Sequence, residues 1–182
     1  METSTLSLPD KPHSLIGKPT ILQMCALAAN TPPGAFVELG VYKGGSASHL
    51  AEIATEQGRE LHLFDTFTGI PFCGEHDYHQ VGDFGDVKEA AVRALIPSAV
   101  FHVGIFPETM PTVMPPIAFV HIDADQYQSI KEAIRCFSPL MVAGGIMWFD
   151  DCGTLTSADR AVNEAFGERI NRTQFDKWIV RF

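Results

Sequence analysis

The chain has 182 residues, 46% hydrophobic and 19% charged, a size and balance that fit one domain spanning 1–182 with a single core. A formal net charge of −9, from 22 acidic against 13 basic residues that are scattered singly, argues against nucleic acid as a partner. Cysteines at 25, 73, 136 and 152 form no C-x-x-C pair, which disfavours a zinc ribbon or thioredoxin-type centre and fits a reducing compartment. With no apolar leader and no apolar run near the ~18 residues of a spanning helix, the chain reads as soluble, cytoplasmic and without a membrane partner.

After a polar lead over residues 1–18, Pro19 opens a helix through "TILQMCALAAN", which Thr-Pro-Pro-Gly then stops. "AFVEL" (35–39) reads as the first strand, and a glycine turn leads from it into a helix over 46–57. "ELHLFD" (60–65) is the second strand. The connection that follows, 66–86, far exceeds the usual ~2–6 residues. It carries Phe67, Phe72, Tyr78 and Phe84, too aromatic for a disordered insert, so it is either a lid or substrate wall or a structural loop. A helix over 86–96, strands at 99–104 and 117–123, a helix at 127–137 and a strand at 145–150 follow. "SADRAVNEAF" reads as the last helix, and "ERINRTQFDKWIVRF" as a hairpin turning near 174–176. Five short β-rich runs with little polar alternation are expected to be buried on both faces, so the fold class is α/β, a doubly wound, mostly parallel sheet closed by an antiparallel hairpin. Ligands in such sheets bind at the carboxyl ends of the strands.

Two constellations fall at those ends. In "FVELGVYKGGSASHL", Gly40, Gly44 and Gly45 allow a tight turn and close approach to a ligand, and Ser46 offers a hydroxyl at the helix start. The spacing is not the dinucleotide G-x-G-x-x-G, and Glu38 before the turn would repel a pyrophosphate. Asp65, at the end of the second strand, stands where a carboxylate accepts hydrogen bonds from a ribose diol. A nucleoside carrying positive charge in place of phosphates is S-adenosylmethionine. The second constellation is Asp123 and Asp125 in "HIDADQY" with Asp150 and Asp151 in "WFDDCG". Such a group of carboxylates suits Mg²⁺ or Mn²⁺, although each residue could equally cap a helix or hold a loop.

The stretches "ELGVYKGGSASHL", "LFDTFTGIP", "GDF", "FVHIDADQYQSIKEAI" and "GGIMWFDD" together resemble the class I S-adenosylmethionine-dependent methyltransferases, specifically the macrocin O-methyltransferase group. The resemblance covers roughly residues 34–182, and the glycine turn is also similar to that of the catechol O-methyltransferases. It implies the Rossmann-like class I fold and an enzyme acting on a hydroxyl of a small molecule, a natural-product sugar or a phenol. It further implies that Glu38, Gly40, Tyr42 and Ser46 surround the methionine end of the cofactor, and Gly44 of the same turn is expected at the cofactor too. Asp65 would bind the ribose, Gly104 would pass near the adenine, and Asp123, Asp150 and Asp151 would ligate Mg²⁺. As a mechanistic expectation, Asp123 could take the hydroxyl proton while staying near the metal, with Asp125 as another candidate that the sequence does not rank against it. Gln126 stands where the catechol enzymes carry a lysine base, which excludes that base here.

His76 and His79, in "EHDYH", could be metal ligands or a base reaching the substrate from the long loop but read more simply as solvated, and His102 and His121 as packed strand residues. Cys152 reads as a small loop residue. An NAD(P)-dependent oxidoreductase would share the sheet but should show the closer glycine turn and a hydride-site pair; a metal-dependent hydrolase would leave the turn unexplained. Oligomeric state is left open by the sequence, although an exposed apolar face expected on the first helix could serve a homodimer.

Overall fold

The computed structural model describes residues 14–182, so most of the polar lead lies outside the described residues. Helix α1 (Lys18–Ala29) carries its proline in the first turn, where the missing N–H costs nothing. Strand β1 (Ala35–Leu39) is buried throughout, and α2 (Gly45–Glu56) starts from Gly44 in the left-handed region. Then come β2 (Leu61–Asp65), a short α3 (Glu89–Leu95), β3 (Val100–Val103), β4 (Ile117–Ile122), α4 (Tyr127–Phe137), β5 (Met141–Phe149), α5 (Thr156–Phe166), β6 (Asn171–Arg172) and β7 (Trp178–Arg181). Among the described residues no helix is long and apolar enough to cross a membrane.

The seven strands lie in the order β3-β2-β1-β4-β5-β7-β6. The first five are parallel, and β7 runs antiparallel to both β5 and β6. Strand residues alternate between two cores. Val37, Val120, Met147 and Val180 pack with Ile130, Phe137 and Val162 of α4 and α5. Phe36, Phe119, Trp148 and Ile179 pack on the other face with Met24, Leu50 and Val92 of α1, α2 and α3. Burial of both faces is why the central strands read as unbroken apolar runs.

Three expectations shift. Strand β3 is half exposed, because as an edge strand it has a neighbour on one side only. The helix expected over 86–96 begins only at Glu89, since Asp86 is drawn to Tyr42 and Lys43. Ile21, Met24 and Ala28 of α1 point inward, and Leu22 is the large apolar side chain that this helix leaves exposed.

Candidate active site

The strand order reverses between β1 and β4, which opens a crevice at their carboxyl ends. A cavity of about 400 Å³ fills it, lined by Gly40, Tyr42, Ser46, Asp65, Gly104, Asp123, Asp125, Asp150 and Asp151 among others. Both predicted constellations therefore meet in one place. Glu38 and Gly44 do not line the cavity and stand behind its wall.

Each residue of the turn has a structural duty. A Cβ on Gly40 would lie 1.8 Å from the Asp123 carbonyl oxygen at a φ of +88°, so glycine is required by the close passage of β1 and β4. Gly40 also lines the cavity, so the packing demand stands beside the expected close approach of a ligand. Gly44 faces Val92 and Leu95 of α3, likewise a packing role. Asp65 holds the turn down: its Oδ2 accepts from the N–H of Val41 (2.6 Å) and Tyr42 (2.8 Å), and its Oδ1 from that of Phe67 (2.7 Å). A carboxylate has about four acceptor positions, so one remains for a ligand.

Behind the turn runs a buried line of charge. Glu38 Oε1 accepts from Ser46 Oγ at 2.5 Å and lies 3.2 Å from His121 Nδ1, while Glu38 Oε2 is buried without a partner. His121 Nε2 is 3.9 Å from Asp150 Oδ1. Burial pulls His121 down, but Glu38, Asp150 and Asp123 outweigh it and hold the imidazole well above its ordinary value. Asp150 Oδ1 also accepts from Trp148 Nε1 at 3.3 Å, and its Oδ2 from Lys177 Nζ at 3.0 Å. Burial works upward on Asp150, yet His121 and Lys177 bring it to about 2.

Its three neighbours go the other way. Burial, then the charges of Asp151 and Asp150, push Asp123 well above the usual carboxylate range. Burial and Asp125 raise Asp151 to about 7; burial, Asp150, Asp77 and Asp83 raise Asp125 to about 6. Asp125 sits at a φ of +59°, with its N–H donated to Asp151 Oδ2 at 2.8 Å. Among the described residues no three acidic, histidine or cysteine side chains are drawn together as a ready metal cage.

The long connection folds over this edge. Tyr127 N donates to Asp77 Oδ1 at 2.9 Å, and the Gln126 side-chain amide donates to the Phe72 carbonyl. His79 Nε2 lies 3.3 Å from Asp125 Oδ1 and its Nδ1 3.5 Å from Asp83 Oδ2, so His79 is packed in the cavity wall, where a solvated loop residue was expected. The His79/Asp83 spacing of four within an aromatic loop was the available signal. His76 is exposed, as read.

The fold and the crevice define a class: doubly wound enzymes that hold a nucleoside cofactor at the switch point of the sheet. The macrocin O-methyltransferase (TylF) family model matches residues 3–174, and the chain belongs to that family. It is 28% identical over 179 residues to demethyldecarbamoylnovobiocin O-methyltransferase of Streptomyces niveus, covering 86% of this chain and 68% of that protein. It is also 28% identical over 166 residues to the 8-demethyl-8-(2,3-dimethoxy-alpha-L-rhamnosyl)-tetracenomycin-C 4'-O-methyltransferase of Streptomyces olivaceus, with 79% and 64% covered. The chain thus spans about two thirds of each relative. Of solved structures, the O-methyltransferase NovP superposes with a TM-score of 0.80 at 24% identity, over 93% of this chain and 81% of that one. The calicheamicin methyltransferase CalS11 gives 0.78 at 21%, over 90% and 79%. Both likenesses bear on the fold.

Proposed function

We propose that the chain methylates a hydroxyl of a small-molecule glycoside with S-adenosylmethionine as donor, assisted by a divalent cation such as Mg²⁺, in the cytoplasm. The carrying observation is the single crevice in which the glycine turn and Asp65 face the aspartate cluster. Its volume falls in the ~300–1,000 Å³ range of cofactor sites. The partnerless Glu38 Oε2 just behind the turn fits a cofactor with a cationic end. Sugars enter from the relatives' names, which include a rhamnosyl acceptor.

The cofactor supplies an electrophilic methyl on a sulfonium. The all-oxygen donor set of Asp123, Asp150 and Asp151, two of them pushed upward by burial and then by neighbouring carboxylates, fits a hard cation, which these residues would hold and which would supply Lewis acidity at the acceptor oxygen. The chain's residues then position, shield and deprotonate. Asp65 fixes the turn through its three backbone contacts, keeping Ser46 and Tyr42 at the cavity wall. Ile70, Phe72 and Phe84 of the long loop line the cavity and give it an apolar wall against which a bound acceptor would be shielded from water. Asp123 takes the hydroxyl proton on its carboxylate, and Asp125, held by His79, is the second acceptor at the same wall.

A panel of 6-deoxyhexosyl glycosides and phenols, incubated with methyl-labelled cofactor with and without EDTA, tests this reading. Label transfer to a glycoside hydroxyl, lost in EDTA and lowered about 10²–10⁴-fold by Asp123→Asn, is expected. Transfer unaffected by both EDTA and the substitution would remove the assigned roles of the aspartates.

A further inference from the structure

Lys177 sits in the turn between β6 and β7, closed by Thr173 N donating to the Lys177 carbonyl at 2.8 Å. Phe149 pairs with Trp178 in the antiparallel register of β5 and β7, so the next residue outward on each strand, Asp150 and Lys177, must also meet. The ammonium donates to the Asp150 carbonyl and, at 3.0 Å, to its Oδ2. Both side chains are largely withdrawn from water, at 19% and 10% exposure. Asp150 Oδ1 is meanwhile turned to Trp148 and His121. Every oxygen of this carboxylate is thus engaged by a donor of the chain itself, while Asp151 feels the charge of Lys177, and Asp123 that of His121, only from a distance and burial prevails in both. That asymmetry accounts for donors suited in kind to a divalent ion but not gathered into a cage.

We propose that Lys177 is a built-in counter-cation of the aspartate cluster, which a divalent ion must displace from Asp150, so that Lys177 sets how tightly the ion is held. The inference rests on the metal-assisted reading above. A lysine suits this exchange, because its ammonium is a compact point charge on a flexible four-carbon stem. It offsets the charge of Asp150 without the ion and can withdraw toward solvent with it.

Mn²⁺ binding, read from the free-ion electron paramagnetic resonance signal, tests the proposal on the full chain and on Lys177→Met and Lys177→Arg. Lys177→Gln replaces the methionine variant if that one does not fold, and melting temperature is the check on folding. Removing the charge is expected to tighten Mn²⁺ binding at least about tenfold, while Lys177→Arg stays near the parent. Equal or weaker binding by the methionine variant overturns the role of Lys177 and leaves the metal reading standing. Mn²⁺ binding by none of the chains overturns both.

Discussion

Glu38 and His121 are both fully buried, 3.2 Å apart, in the middle of the sheet. Two charges in such a place offset each other's desolvation, and removing one leaves the other unpaired, at a cost of about 3–5 kcal/mol. Glu38→Ala is therefore expected to lower stability, measured by urea unfolding, by at most the lower end of that range, about 3 kcal/mol, because Asp150 and Asp123 still face the His121 cation once Glu38 is gone. Glu38→Gln keeps an acceptor for Ser46 Oγ and should cost less. Equal stability of the parent and the alanine variant would contradict a charged pair. Little of this was legible in the sequence. His121 reads as a packed strand residue, and only the β1/β4 register, which sets Glu38 beside His121, turns it into a cation. Gly40 teaches the same lesson: the glycine was legible, but the atom that demands it, the Asp123 carbonyl oxygen, belongs to a strand some eighty residues away.

Strands β2 and β3 form the edge of the sheet, where His62 Nδ1 and His102 Nε2 are 3.0 Å apart and His102 stacks on Phe64 at 4.2 Å. Burial lowers His62 below its ordinary value, partly offset by Glu60; burial and then the charge of His62 lower His102. Because both folded values are depressed, the unfolded chain binds more protons as the pH drops below about 6.5. The pair's contribution is therefore whole above that pH and lost as the pH falls through the folded values. The raised Asp125, Asp151 and His121 act in the opposite direction over the same range, so the readout is a difference: the melting temperature of the parent relative to that of His102→Gln, which keeps a hydrogen-bonding side chain without a titrating ring, should fall between pH 7.5 and 5.5. Parallel curves for the two proteins would contradict this. At this scale the sequence was most informative where the signal is local. Pro19 starts α1, and the closing hairpin turns at Asp176 in the left-handed region, inside the expected 174–176. The loop over 66–86 was legible as an interruption, but its anchoring through Asp77, His79 and Asp86 was not, since those contacts join segments far apart in sequence.

The whole molecule converts strand order into a site. Parallel strands bring Asp65, Gly104, Asp123 and Asp150 to one edge because each lies at or one residue past the carboxyl end of its strand, and the reversal between β1 and β4 leaves the space between them. That convergence was readable from alternating β and α segments alone. The meeting of Lys177 with Asp150 was not, because it depends on β7 entering antiparallel beside β5. The account depends most on the crevice holding the nucleoside of S-adenosylmethionine, and isothermal titration with S-adenosylhomocysteine tests that directly. The account predicts saturable one-to-one binding in the micromolar range and, at a hundredfold excess over Kd, a stabilisation of about 2.7 kcal/mol that NADH does not reproduce. No heat of binding and no thermal shift with S-adenosylhomocysteine would contradict it.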